Sequence, residues 1–166
     1  SGKDVPHGAV DEIDPAAFVG PVVVIDCSEG AAADDDFELT PAVIEAWEAE
    51  HGQIPADAWV LMRTDWSKRC GAAYLNMADD GAHSPGPTPA AIELLLARDI
   101  RGFGTETVGT DAGQGMHYTP PYPAHYLLHG AGKFGLQCLC NLDLLPPTGA
   151  VLIAPPLKIK GGTGSP

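Results

Sequence analysis

Pro21-Val-Val-Val-Ile-Asp26 is the stretch on which the fold turns. Val22 to Ile25 are four β-branched residues in a row with no polar face, the pattern of a strand covered on both sides. We read it as a central strand, ended by Asp26-Cys27-Ser28 and followed by a flexible acidic loop over Ala31 to Asp36. Thr40-Pro41 then places a capping hydroxyl before a proline at the first helical position, with Ile44 and Trp47 on one face and Gly52 just past the end. That spacing predicts a helix. Trp59 to Thr64 reads as the next strand, with a polar loop through Asp80, and Thr88-Pro89 opens a second helix whose apolar face carries Ile92, Leu95 and Leu96. Further strands are expected over 103–110, 134–142 and 151–154, with a short helix over 124–129 and a turn at Pro146-Pro-Thr-Gly149. Strands alternating with helices make a mixed α/β fold, and the length fits one domain over residues 1–166.

Composition narrows the partners. Nine Lys and Arg against 22 Asp and Glu give a formal charge of -13, which repels phosphate backbones, so no nucleic acid is expected. Lys158-Ile-Lys160 is the one basic concentration, and its alternation suits the wet face of a strand. No apolar run approaches the ~18 residues needed to cross a bilayer, so no membrane partner is expected. Cys27, Cys70, Cys138 and Cys140 lack the spacing of a disulfide framework and read as buried or partly buried thiols in a reducing, cytoplasmic compartment.

Several residues invite a chemical reading. His125-Tyr-Leu-Leu-His129 places two histidines four apart on a helix, where both can reach one ion, although Tyr126 stands where a zinc protease has its glutamate. Asp111, in Gly109-Thr-Asp-Ala-Gly113, sits at a glycine-flanked turn after a strand, as a site residue or as the cap of that turn. His83-Ser84 does not read as a base beside a nucleophile, since neighbours on extended backbone point apart and no Gly-x-Ser-x-Gly elbow surrounds the serine. Gly130-Ala-Gly132-Lys-Phe-Gly135 has the letters of a dinucleotide loop, but it follows a helix and precedes a strand, the reverse of the required order. His7 and His51 read as surface or helix-end residues. Trp47, Trp59 and Trp66 read as core or rim aromatics.

Gly109-Thr-Asp-Ala-Gly113, Pro120-Pro-Tyr-Pro-Ala-His125, Phe134-Gly-Leu-Gln-Cys-Leu-Cys-Asn141 and Gly161-Gly-Thr-Gly-Ser-Pro166 together resemble the metal-dependent cyclase family of hydrolases. The likeness extends to Gly20–Ser28, Glu45–Gly52, Val60–Trp66 and His83–Pro89, and so to nearly the whole chain. Within the family it resembles most the isatin hydrolases, and next the bacterial kynurenine formamidases. The resemblance implies a swivelling β/β/α fold, usually assembled as a homodimer. It also implies a manganese ion, with zinc as the alternative, held by a His-x-Gly-Thr-His-x-Asp-x-Pro-x-His motif. That motif normally lies just upstream of a segment like Ser1-Gly-Lys-Asp4 and has no counterpart in residues 1–166. The expectation is therefore a fragment incomplete at both ends, with its metal ligands and main catalytic base encoded before Ser1, no metal ligand of its own, and no activity alone.

The resemblance also assigns residues. The Pro-x-Pro-Ala-His match implies that His125 contacts substrate, donating to the carboxylate formed when an amide is hydrolysed or shuttling its proton. Cys138 falls where the family places a small hydroxyl-bearing residue near the pocket, so it is the second candidate for substrate contact. Cys140 falls where kynurenine formamidases have a metal-binding glutamate, which favours the isatin hydrolase branch. The implied reaction is attack of a metal-activated water on the lactam of isatin, a small aromatic amide, to give isatinate. The alternatives are hydrolysis of N-formylkynurenine in tryptophan breakdown and, from a different class, a metal-free binding or structural domain.

Overall fold

The computed structural model describes residues 9–162 and Gly164. His7, Ser1–Asp4 and part of the closing Gly161–Pro166 run lie outside them. The apolar run forms β1 (Val19–Asp26), and it is interior to the sheet as its composition requires. The connection after it holds α1 (Ser28–Ala33), β2 (Glu38–Leu39) and α2 (Pro41–His51). Then come β3 (Trp59–Arg63), α3 (Ala72–Leu75), β4 (Met77–Ala78), β5 (Gly81–Ala82), β6 (Gly86–Pro87) and α4 (Pro89–Ala97). β7 (Gly102–Thr105), β8 (Phe134–Leu136) and β9 (Thr148–Ile153) follow. Five strands make the main sheet in the order β8-β7-β3-β1-β9, with β1, β3, β7 and β8 parallel and β9 antiparallel to β1. Two small pairs, β2 with β6 and β4 with β5, stand apart from it.

Because successive strand residues point to opposite faces, β1 feeds two cores. Val23 and Ile25 join Val60, Met62 and Phe103 beneath Ile44 and Trp47 of α2 and Ile92 and Leu95 of α4. Val22 and Val24 join Trp59, Leu61 and Leu142 on the other face, with Ala150 and Leu152 of β9 packed on them. All three tryptophans are buried. Trp47 also satisfies its indole N–H, donating to the Val24 carbonyl at 2.8 Å and so tying α2 to the strand. Glu48 and Arg98 join α2 to α4 through two parallel bonds of 2.8 Å each, and Arg98 holds the Glu48 carboxyl below its usual range.

Several local expectations need correction. Ala31 to Ala33 are helical, because the Asp26 carboxylate accepts from the Ser28 N–H at 2.9 Å and its hydroxyl at 2.6 Å and so nucleates α1. Thr88 caps α4 by accepting from the Ala91 N–H, whereas Thr40 forms no side-chain cap. β7 stops at Thr105, where Glu106 turns its carboxylate inward onto the loop after β3. β8 stops at Leu136, because Cys138 and Asn141 take left-handed backbone conformations that a strand does not admit. β9 starts at Thr148, so the expected turn at 146–149 gives up its last two residues to the strand. Lys158 and Lys160 lie in irregular chain past β9, and Lys158 Nζ donates to the Asp11 carbonyl. Only Cys27 is a buried thiol; Cys70, Cys138 and Cys140 sit on connections between elements and are exposed.

β9 borders the sheet with Val151 and Ile153 both about two thirds exposed, 66% and 69%. They pair in register with Pro21 and Val19 of β1. Among the described residues no helix is long and apolar enough to cross a membrane.

Candidate active site

Parallel pairing brings the carboxyl ends of β1, β3 and β7 to the same edge of the sheet, where α/β folds build their sites. The chain leaving β7 carries Asp111, which is 5% exposed. Two glycines let this loop approach the segment before α4. Gly113 donates its N–H to the Ser84 carbonyl at 2.9 Å, and a Cβ on Gly86 would lie 2.2 Å from the Ala112 nitrogen. Asp111 is thereby pressed toward the turn of helix over Ala124–Leu128.

The Asp111 carboxylate accepts from two backbone N–H groups of that turn and also bonds the His125 ring. One oxygen takes the Ala124 backbone N–H at 2.6 Å, and the other takes the His125 backbone N–H at 3.3 Å together with His125 Nδ1. The His125 side chain remains 59% exposed. It borders a concavity of about 340 Å³ with Tyr74, Leu75, Met77, Met116 and Tyr122, so a titratable pair stands at the side of a largely apolar, aromatic hollow.

One wall of the hollow is the β4–β5 hairpin. His83 latches it, with Nδ1 2.6 Å from an Asp36 oxygen and Nε2 3.0 Å from Asp80. These two carboxylates, Asp36 first, hold the imidazole protonated and push its pKa up to about 9. The acidic run 34–36 is thus an anchor: Asp35 also takes Arg69 and the Asn76 side-chain amide. Ser84 is buried. Sequence reasoning considered His83 only as a base for that serine and missed the latch, whose signal was three consecutive aspartates in a chain with few cations.

Tyr74 also lines the hollow and donates its hydroxyl to the Glu106 carbonyl at 2.8 Å. Burial first, then hydrogen bonding with Cys138, raises its pKa. Glu106, 1% exposed, was also missed. Its carboxylate accepts from the backbone N–H of Thr64 at 2.7 Å and of Asp65 at 2.6 Å, and from the Ser67 hydroxyl at 2.6 Å. Its sequence signal was weak, a lone acid between two threonines at a strand end.

The two substrate-contact candidates separate. His125 faces the hollow, while Cys138 lies beyond Tyr74 in a neighbouring open depression that also takes in Cys70 and Cys140. The His125 and His129 rings meet edge to face at 5.3 Å, and His129 Nδ1 bonds the Lys133 carbonyl at 3.1 Å. Among the described residues no three His, Cys, Asp or Glu side chains gather as a metal site requires. His125 Nδ1 and Asp111 are occupied with each other. These residues alone do not fit a catalytic metal.

The cyclase family model matches residues 3–112. An isatin hydrolase from Roseibium aggregatum is 58% identical over the whole chain, which spans 64% of that protein. Among solved structures, isatin hydrolase A from Labrenzia aggregata bound to benzyl benzoate is 79% identical with a TM-score of 0.97, and the chain covers 65% of it. An isatin hydrolase bound to the product analogue thioisatinate is 58% identical with a TM-score of 0.96, and 64% of it is covered. A structure described as a potential metal-dependent hydrolase with cyclase activity shares the fold at 22% identity, with a TM-score of 0.63 over 64% of its chain.

Proposed function

The chain belongs to the cyclase family, and on that premise we propose that the protein is an isatin hydrolase, adding water across the lactam of isatin to give isatinate. The observation that carries this reading is the Asp111–His125 pair at the side of an apolar hollow of about 340 Å³, large enough for a fused bicyclic amide. Relatives at 58% and 79% identity, one of them holding a product analogue, support it.

In this reading Tyr74, Leu75, Met77 and Tyr122 take the flat ring, and His125 stands beside the carbonyl that becomes a carboxylate. Hydrolysis breaks the carbonyl–nitrogen bond, leaves an aniline amine, and releases a proton from the new acid. A nearby imidazole suits both that proton and the product anion. The metal of this hydrolase class would be held by side chains outside the described residues, since those present do not gather a ligand set.

The test is turnover by the full-length protein, with isatin and N-formylkynurenine compared side by side by absorbance. Faster cleavage of isatin is expected. Turnover of neither substrate, or faster cleavage of the formyl amide, would overturn the proposal.

A further inference from the structure

We propose that Asp111 is a positioning residue: it fixes the His125 ring with its proton on Nδ1, so that Nε2 is the atom that takes the proton released as the amide carbonyl becomes a carboxylate. This rests on the amide hydrolase reading above.

The geometry separates this role from capping alone. A cap needs only backbone N–H groups, and Asp111 has two of them, from Ala124 and His125. The third contact, to His125 Nδ1, adds nothing to the backbone and aims a side chain. Its placement is over-determined, because the same carboxylate grips the backbone of the residue whose ring it orients. Asp111 lies inside at 5% exposed while the His125 side chain is 59% exposed, so the fixed end is buried and the free end is open to ligand.

The tautomer follows from the acceptor. A carboxylate offers only lone pairs, so Nδ1 must carry the hydrogen, and in the neutral ring Nε2 keeps its lone pair. When water adds and the carbonyl–nitrogen bond breaks, the nitrogen leaves as an amine and the acid's proton passes to Nε2. The imidazolium then lies between two anions, Asp111 behind it and the product carboxylate in front. Without Asp111 the ring can rotate or carry its proton on Nε2, which cannot accept a second.

Nitrogen NMR of full-length protein labelled with ¹⁵N-histidine reads this directly, with the His125 signals assigned by loss in His125→Gln. At about pH 9, above the ordinary imidazole range, the expected pattern is protonated Nδ1 and bare Nε2; the reverse pattern overturns the proposal. Asp111→Asn sharpens the test, because an amide has one oxygen for two donor-bearing sides. Its NH₂ must face a donor on one side or the other: toward His125 it meets the backbone N–H and drives the ring proton to Nε2, and toward Ala124 it leaves that N–H unmet. The expected result is loss of the uniform Nδ1-protonated pattern, with an Nε2-protonated signal appearing, and a loss of roughly a hundredfold in kcat on isatin with KM little changed. A variant that loses stability but keeps the wild-type tautomer and kcat would reduce Asp111 to a cap. If Asp111→Asn fails to fold, the wild-type spectrum still decides. Failure of the wild type to open isatin would sink the functional reading and leave the tautomer to be judged on its spectrum.

Discussion

His83 and Asp36 lie 2.6 Å apart, joining the hairpin that walls the hollow to the acidic loop after α1. Because the folded-state pKa, about 9, exceeds the ordinary 6.5, the contact contributes fully below about 6.5 and is lost as pH rises through 9. A His83→Asn variant should therefore melt below the wild type at pH 6, with the gap closing above pH 9. Thermal melts of both proteins across that range measure it, and a gap that stays constant with pH would refute the latch.

Gly86→Ala places a methyl 2.2 Å from the Ala112 nitrogen, against backbone that cannot swing aside. Overpacking of this kind costs on the order of 1–3 kcal/mol. Since Ala112 adjoins Asp111, the cost should fall on the site as well. Urea unfolding should show the lost stability, and under the proposed activity isatin kinetics of the full-length protein should show a reduced rate.

Glu106→Leu leaves the Thr64 and Asp65 N–H groups without their carboxylate. At about 1–3 kcal/mol for each buried donor left unmet, the variant should lose roughly 2–6 kcal/mol in chemical denaturation. Glu106→Gln keeps an acceptor for both N–H groups and should lose much less.

Thiol titration distinguishes the cysteines. Cys70, Cys138 and Cys140 are exposed and free, whereas burial pushes the Cys27 thiol up to about 12. Ellman's reagent should modify the first three in the folded chain and Cys27 only after denaturation. Prompt reaction of Cys27 in the native protein would contradict its burial.

Strand β1, strand β3 and helices α2 and α4 were legible because one local signal sufficed for each: a short apolar run, β-branched in β1, or a Thr-Pro start ahead of an apolar face. The ends of β7 and β8 were not. They are set by Glu106, which finds its donors about forty residues earlier in the chain, and by Cys138, whose left-handed backbone no residue-type preference announces. The site divides the same way. His125 stood out by type and motif, but its partner Asp111 lies fourteen positions earlier, and pattern alone offered the cap and the site equally. His83 was noticed for the wrong neighbour, because the nearer-bonded of its two carboxylate partners, Asp36, lies forty-seven positions away.

The flank formed by β9 has a practical bearing on handling these 166 residues by themselves. Val151 and Ile153 of β9, beside Val19 and Pro21 of β1, present an oily ribbon at a border beyond which no strand of the described residues lies in the sheet. Such a border is a template for adhesion between molecules. Recombinant chain should therefore collect in inclusion bodies unless a solubilising fusion or a charged replacement, such as Val151→Lys, shields it.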